Sequence, residues 1–319
     1  MQVSGQKIVV LGTGGTIAGT SSQAGDNIGY TAAQVGVEQL LAAVPGLQVL
    51  AGGMLVAEQV AQVDSKDMDD GVWRALAQRC AHHLADPDVR GLVITHGTDT
   101  LEETAWFLHE VLDTTKPVVL TCAMRPATAL TPDGPQNLLD AVAVVLAPGA
   151  TGVVAVAAGE LHAARNVQKV HPYRVHAFNS GDAGPLGWVE EGRVRLVQNW
   201  PLPPVGRAFS AIKTGIESTE WPWVEVVLSH AGARAQTVDA LVHAGVRGLV
   251  VACTGNGTIH HALEAALLRA QQAGVRVVRA TRCAEGQVLP KPGDVLSDSQ
   301  GLSPVKARVA LLLDLLQAH

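Results

Sequence analysis

Aromatic residues are scarce in this chain: phenylalanine, tryptophan and tyrosine make up only 3% of its 319 residues. Charged residues are also few, at 16%, and the formal net charge is -6. No long cluster of lysine and arginine occurs. Proteins bind nucleic acids and anionic membrane surfaces through such clusters. The sequence therefore predicts neither a nucleic-acid partner nor a membrane partner.

Cysteine is rare and dispersed. The chain has four cysteines, and no two of them form a C-x-x-C pair; they are Cys80, Cys122, Cys253 and Cys283. Wide spacing without such a pair indicates neither a zinc site nor a disulfide framework. We expect free thiols, which are typical of a reducing compartment.

Long apolar runs are missing as well. No segment reaches the roughly 18 consecutive apolar residues that a membrane-spanning helix needs. Residues 2–7 are mostly polar and lead into a short apolar run, without the charged and long apolar regions of a secretory signal. Together these features predict a cytoplasmic protein.

What the chain does have is 47% hydrophobic residues and 33 glycines, enough to bury a sizeable core. Continuous apolar runs occupy residues 8–11, 91–95, 118–121 and 153–157. Such runs are typical of strands buried on both faces of a parallel sheet. Helical patterns separate them, and we expect helices to start near Thr31, Asp67 and Thr100. Thr31 and Thr100 have Gln34 and Glu103 at capping-box spacing.

The pattern changes at residues 201–222, which contain four prolines and little periodicity. This stretch is predicted to be a linker between an N-terminal domain (residues 1–200) and a C-terminal domain (residues 223–319). A second series of strands (224–228, 249–252, 275–279) and helices (237–243, 259–272) follows. Ser303 and Pro304 predict the start of a last helix. The expected fold class is α/β, with a larger N-terminal, doubly wound, mostly parallel sheet and a smaller C-terminal α/β domain.

The first segment that indicates chemistry is LGTGGTIAG at residues 11–19, directly after the first strand. Glycines at this place allow a ligand to approach the backbone closely. A dinucleotide-binding turn would need a third glycine where Ile17 stands. The remaining alternatives are a turn without catalysis and a site built on its threonines. Tyr30, one of two tyrosines, follows the loop and could supply a hydroxyl for proton transfer.

The second segment is THGTDT at residues 95–100, again where a strand meets a helix. One interpretation is that Asp99 or Thr100 only caps the helix. However, the carboxyl ends of parallel strands are where such folds bind ligands, and Thr98 and Asp99 put a hydroxyl beside a carboxylate there. Two threonine-bearing turns at one sheet edge favour a catalytic site.

Both segments resemble the signature motifs of the L-asparaginase/glutaminase-asparaginase family. The resemblance covers essentially the whole chain and includes residues 63–68, 122–126, 133–138, 255–257 and 306–308. It implies hydrolysis of L-asparagine to L-aspartate and ammonia, with minor glutaminase activity left open. It also implies a threonine nucleophile and no metal or cofactor.

Catalytic roles follow from the resemblance residue by residue. Thr16 resembles the nucleophile, with Tyr30 as its hydroxyl partner. Thr98, Asp99 and Lys169 resemble a second catalytic triad. An amide is a poor electrophile, so the attacking hydroxyl must lose its proton and the oxyanion must be stabilised by fixed donors. A desolvated lysine beside threonine hydroxyls can serve as the base.

Substrate-binding roles are also implied. Asp99 resembles the carboxylate that receives the α-ammonium, Ser65 the hydroxyl that binds the α-carboxylate, and Ala123 the backbone element that holds the amide. Lys66, which follows Ser65, is a further candidate substrate-binding residue, because its position lies beside the groups that hold the α-ammonium and the α-carboxylate. Asn256 matches a residue that in family tetramers reaches the neighbouring subunit's site. A homotetramer, built as a dimer of intimate dimers, is expected.

The chain departs from the family pattern at two places. Where relatives carry Gln or Glu after the carboxylate-binding serine, this chain has Lys66, which we expect to turn outward onto a nearby carboxylate. Residues 283–299 are shorter and different. Neither Glu285 nor Asp294 therefore aligns with the glutamate that a neighbouring subunit supplies to the first triad.

One alternative from another class is a nucleotide- or amino-acid-binding regulatory module without catalysis. The interrupted glycine motif and the intact Thr16, Thr98, Asp99 and Lys169 favour the enzyme. The choice between asparagine and glutamine is open, since one methylene in a pocket is worth only about 1–3 kcal/mol.

Overall fold

In the computed structural model of this chain, residues 6–23, 25–202, 215–218 and 220–318 are described. The chain forms two compact units, Met1–Phe209 and Ser210–His319. The linker predicted at residues 201–222 falls largely on residues 203–214 and 219, which lie outside the described residues.

The first unit is built on an eight-stranded sheet. Its strands are β1 (Lys7–Gly14), β2 (Leu55–Val63), β3 (Val89–Thr95), β4 (Pro117–Thr121), β5 (Gly152–Ala157), β6 (Glu160–Ala163), β9 (Gly187–Glu190) and β10 (Arg193–Leu196). The order across the sheet is β10-β9-β6-β5-β4-β3-β1-β2. Strands β1 to β5 pair in parallel, and β5, β6, β9 and β10 pair antiparallel. The expected mostly parallel sheet is confirmed.

Two further strands, β7 (Gln168–Lys169) and β8 (Phe178–Asn179), form a separate antiparallel ribbon. The helices of this unit are α1 (Val37–Ala42), α2 (Leu47–Leu50), α3 (Asp70–Leu84), α4 (Leu101–Val111) and α5 (Gly134–Leu146). Short 3₁₀ turns occur at Thr16–Ala18, Ser65–Asp67 and Gly181–Ala183.

Two of the predicted helix starts are wrong. Thr31 pairs with Thr20 in a β-bridge, and α1 begins only at Val37. The backbone N–H and C=O of Thr31 are hydrogen bonded to those of Thr20, so they are not available to start a helix. Helix α3 is capped by Asp69, whose carboxylate accepts from Val72 N–H at 2.8 Å, and not by Asp67.

The antiparallel half of the sheet turns back through two tight hairpins. Ala158 and Gly159 join β5 to β6, and Glu191 and Gly192 join β9 to β10. All four have positive φ, between 48° and 77°. Two-residue hairpins with both central residues at positive φ match the twist of the flanking strands.

The strand order places a topological switch point beside β1. From β1 the chain moves to β2 on one side and then to β3 on the other, and it continues outward to β4 and β5. The loops that leave β1 and β3 therefore diverge and open a crevice at the carboxyl edge of the sheet. Both threonine-bearing segments lie at this crevice.

The second unit has a smaller, fully parallel sheet. Its strands, in spatial order, are β11 (Val224–Leu228), β12 (Gly248–Cys253), β13 (Arg276–Thr281) and β14 (Ser297–Asp298). Its described helices are α6 (Gln236–His243), α7 (His261–Gln272) and α8 (Pro304–Gln317). The expected α/β architecture is confirmed here too. Among the described residues, no helix is both long and apolar enough to cross a membrane.

Strand β2 is tied to α3 by a charged cluster centred on Glu58. Its carboxylate accepts two hydrogen bonds from Arg79, one of them 2.8 Å from Nη2, and lies 2.7 Å from His83 Nε2. The hydrogen bonds from Arg79 are the main reason that the pKa of Glu58 falls from 4.5 to about 2. Because the turn that carries Ser65 joins β2 to α3, this cluster also fixes one side of the crevice.

Replacing Glu58 should therefore destabilise the fold in a pH-dependent way. A carboxyl whose folded pKa lies below its unfolded pKa contributes stability above the unfolded value and loses it as pH falls through the folded one. Glu58→Gln is expected to lower the free energy of unfolding at neutral pH by on the order of 1 kcal/mol. The difference from wild type should shrink between pH 4.5 and about 2.

Urea denaturation at a series of pH values measures this difference. The matched control is Glu190→Gln, which removes the exposed Glu190–Arg195 pair on the β9–β10 hairpin and should change stability less. A Glu58→Gln difference that stays constant from neutral to acid pH would contradict the assignment.

Candidate active site

Four neighbouring strand ends bring the predicted site residues of the first unit to one edge. Strand β2 leads to Ser65, β1 to Thr16, β3 to Thr98 and Asp99, and β4 to Ala123. Since β2, β1, β3 and β4 are consecutive and parallel in the sheet, their carboxyl ends share that edge. Residues that are far apart in the chain are thereby collected at the crevice.

The turns after β1 and β3 touch through their backbones. A Cβ on Gly15 would lie closer than 3.0 Å to the backbone of Gly97, and a Cβ on Gly97 would lie 2.6 Å from Ser65 Cβ. Thr13 Oγ1 also donates to Thr95 O at 2.9 Å, immediately below this contact. Glycine is needed at both positions because only hydrogen fits between the two turns. Gly15 additionally has a φ of 81°.

Thr16 lies just beyond this contact, in the buried 3₁₀ turn Thr16–Ala18. Its hydroxyl is 2.7 Å from the hydroxyl of Tyr30, and either oxygen can donate. The Thr20–Thr31 bridge closes the intervening loop and returns Tyr30 to the turn. The structure thus brings together the two hydroxyls that the family resemblance pairs.

Lys169 joins Thr98 and Asp99. Its Nζ donates to Thr98 Oγ1 at 2.8 Å and to Asp99 Oδ1 at 2.6 Å. The lysine side chain is 16% exposed, whereas Asp99 is 51% exposed. The amine is therefore held inside the site, while the carboxylate keeps a solvent-facing side that can receive a second cation.

Ser65 connects this group to the turn after β2. Its buried Oγ accepts from Asp99 N–H at 3.1 Å, and its carbonyl accepts from Thr100 Oγ1 at 2.8 Å. Thr100 occupies the N-cap position of α4 but makes no side-chain cap bond. Capping by this hydroxyl, one interpretation of the motif, is therefore wrong: the hydroxyl contacts the turn of Ser65 instead.

The backbone at Ala123 is shaped by the start of α5. Asp133 accepts from Met124 N–H at 2.9 Å, and Asn137 Nδ2 donates to Cys122 O at 2.9 Å. The two side chains hold the residues on either side of Ala123 in place, so that its backbone groups stay at the carboxyl end of β4.

Lys66 turns away from this group. Its Nζ lies 2.6 Å from Asp67 and 3.3 Å from Asp64, and its side chain is 60% exposed. The hydrogen bonds that Lys66 donates to Asp67 and then to Asp64 raise the pKa of Lys66. The expected outward pairing with nearby carboxylates is confirmed.

Asn256 belongs to the second unit. Its amide bonds both backbone groups of Leu289, donating at 3.1 Å and accepting at 2.6 Å. In the same unit, Asp294 accepts from Arg279 at 2.8 Å, and this bond lowers the pKa of Asp294. Asp294 is therefore already used in holding its own loop.

Three further residues support the site without having been predicted to do so. His96 is fully buried, and its Nδ1 lies 2.7 Å from Gly97 O. Burial lowers the pKa of His96 to about 4, so its ring is neutral at neutral pH.

The other two residues are carboxylates. Glu102 accepts from Lys169 N–H at 3.4 Å, and Asp133 holds the turn after β4. His96 is the second residue of the THGTDT segment, and Glu102 follows Asp99 by three residues; these positions are the sequence signals for the two. Within the described part of the chain, no cluster of His, Cys, Asp and Glu is arranged to hold a metal ion.

Comparison with known proteins identifies the family. Residues 7–202 match the family model "Asparaginase, N-terminal", and residues 223–319 match "Glutaminase/Asparaginase C-terminal domain". The L-asparaginase 2 of Bacillus subtilis is 37% identical over 317 residues, covering 98% of this chain and 83% of that protein. The glutaminase-asparaginase of Pseudomonas fluorescens is 36% identical, covering 97% and 86%.

The same relationship holds in three dimensions. The crystal structure of a probable cytoplasmic L-asparaginase from Campylobacter jejuni superposes with a TM-score of 0.91 at 37% identity, covering 97% of this chain and 95% of that one. The chain belongs to the asparaginase family, as its two signature segments led us to expect.

The close backbone contact between the turns after β1 and β3 can be tested by adding a side chain at Gly97. In Gly97→Ala the new methyl group must displace Ser65 or Gly15. A shift of about 1 Å in a catalytic group can cost on the order of 100-fold in rate, and we expect kcat/KM for L-asparagine to fall by about that factor.

Steady-state kinetics measure this loss. The control is Gly36→Ala, whose nearest new contact is Gln59 Oε1 at an ordinary 3.8 Å. It should leave kcat/KM unchanged. Equal activity in the two variants would mean that the contact does not control the site.

Proposed function

We propose that this chain is an L-asparaginase that hydrolyses the side-chain amide of L-asparagine to L-aspartate and ammonia. The observation that carries the proposal is the pairing of two threonine hydroxyls with proton-transfer partners at neighbouring strand ends. The Thr16 hydroxyl is hydrogen bonded to Tyr30, and the Thr98 hydroxyl is hydrogen bonded to Lys169. The names of its relatives support the same activity.

In the proposed reaction, Thr16 Oγ1 attacks the amide carbon and gives its proton to Tyr30 Oη, while the Tyr30 hydroxyl passes its own proton on to the leaving nitrogen. The intermediate collapses with cleavage of the C–N bond, and the nitrogen leaves as ammonia after taking up a proton. Water then attacks the ester, releases L-aspartate and restores the Thr16 hydroxyl. Lys169 exchanges protons with the reacting groups through Thr98, to which it is hydrogen bonded.

The substrate's charged groups have matching partners. Asp99, with its exposed side, suits the α-ammonium. Ser65 Oγ already accepts from Asp99 N–H, so its own O–H remains to donate to the α-carboxylate. The backbone at Ala123 supplies polar groups for the amide. Lys66 forms ion pairs with two aspartates at the surface and is therefore not among the proposed substrate-binding residues.

A binding module without catalysis is the alternative from another class. Such a module needs no lysine amine 2.8 Å from a threonine hydroxyl, nor a second hydroxyl pair beside it. These pairs favour the enzyme. The preference for asparagine over glutamine has to be measured, because relatives carry both names.

Loss of either threonine hydroxyl should abolish most turnover. Thr16→Ala and Thr98→Ala each remove a positioned hydroxyl on a turn, and each should lower kcat by at least about 100-fold while the fold remains intact. Ammonia release from L-asparagine and L-glutamine, followed across a concentration series with and without a chelator, measures both activities. The chelator should have no effect.

The matched control is Thr114→Ala, which deletes a buried threonine hydroxyl just before β4, at the opposite edge of the sheet. Its turnover should equal that of wild type. If either active-site variant keeps more than about a tenth of the wild-type rate, catalysis has to be assigned to other residues.

We further propose that the active unit is a homotetramer, a dimer of intimate dimers, in the cytoplasm. The support is the family's assembly and the position of Asn256 in the second unit, far along the chain from Thr16. Light scattering at assay concentration should give four times the chain mass. A fully active monomer would refute the proposal.

A further inference from the structure

Lys169 is carried by an unusually small element. Strand β7 is two residues long, and within the described part of the chain its one partner strand is β8. Neither strand belongs to the eight-stranded sheet. A two-stranded ribbon is marginally stable by itself. Whatever fixes this ribbon therefore also fixes the amine that contacts Thr98 and Asp99.

The second arm of the ribbon, which consists of β8 and the residues on either side of it (176–180), is held to the main sheet by polar contacts at two points. His162, on β6, lies 2.9 Å through Nδ1 from Ser180 Oγ, directly after β8. Glu160, two residues earlier on β6, lies 3.0 Å through Oε2 from His176 Nε2, two residues before β8. Residues two apart on a strand share a face, so one face of β6 holds both ends of the arm.

Burial distinguishes the two bonds. His162 and Ser180 are both buried, whereas His176 is 58% exposed. Between the bonded ends, Ala177 and Phe178 are buried as well, and Phe178 is the residue that pairs with Lys169. The arm is thus held by a polar contact at each end, and its middle residues are buried where the arm pairs with Lys169.

We propose that His162 and Ser180, assisted by Glu160 and His176, are positioning residues that hold Lys169 at the reacting groups. The inference rests on the proposed function, in which Lys169 transfers protons. None of the four touches the substrate in this proposal; they act through the ribbon. Their loss should misplace the amine and lower kcat, while the groups that bind the substrate stay in place.

The test uses two substitutions of the same histidine. In His162→Asn the side-chain amide occupies the place of Nδ1 and can still bond Ser180, whereas in His162→Gln it occupies the place of Nε2 and cannot. His162→Gln and Ser180→Ala should each lower kcat by about ten- to a hundredfold. KM should change by no more than about twofold. His162→Asn should recover most of kcat.

A local measurement accompanies the kinetics. Val170 N–H, next to Lys169, donates to Ala177 O at 2.8 Å across the ribbon. Its hydrogen exchange should become faster in His162→Gln and Ser180→Ala, but not in His162→Asn. Thr114→Ala, a loss of hydroxyl of similar burial away from the ribbon, should change neither exchange at Val170 nor kcat.

The outcomes separate this inference from the proposed function. If Lys169→Ala is inactive but His162→Gln and Ser180→Ala keep wild-type kcat, the positioning role is overturned and the enzyme assignment stands. If Lys169→Ala is fully active, the role of Lys169 itself fails. Equal losses in His162→Asn and His162→Gln would show that packing of the ring, and not the bond to Ser180, is what matters.

Discussion

The close contact between the turns after β1 and β3 is the constraint on which the site depends. Gly15 and Gly97 meet with no room for a side chain on either, and Ser65 packs against the same point. Thr16 follows one turn and Thr98 the other. The spacing of the two reactive hydroxyls is therefore set by backbone packing in a close-packed interior, which leaves little freedom for adjustment.

Much of this arrangement could be predicted from the sequence. Continuous apolar runs marked β1, β3, β4 and β5, because strands covered on both faces carry apolar residues at every position. The positions of Thr16, Thr98 and Asp99 followed, since residues just after parallel strands meet at one edge. Strand β2 was not predicted because polar residues interrupt its apolar ones and none of its residues is fully buried, so the sequence shows no continuous apolar run there.

The supporting residues could not be predicted, because their partners are distant in the chain. Lys169 lies in a polar segment, and its partner Asp99 is 70 residues earlier. Only the family resemblance singled it out. Glu102 and Asp133 look like ordinary first-turn or capping carboxylates. The failed helix start at Thr31 has the same origin: the partner of that residue, Thr20, belongs to the returning loop and not to a helix.

The parallel strand order also determines when the site can exist during folding. Thr13 and Thr95 are 82 residues apart in the chain, and Lys169 reaches back over 71 residues to Thr98. Parallel neighbours cannot form from local hairpins, so each pairing must wait for the closure of a long loop. A ribosome-bound chain that has emerged only as far as β4 already contains the turns after β1 and β3, but it still lacks Lys169. Competence for catalysis should therefore appear as a late step, after the sheet has assembled.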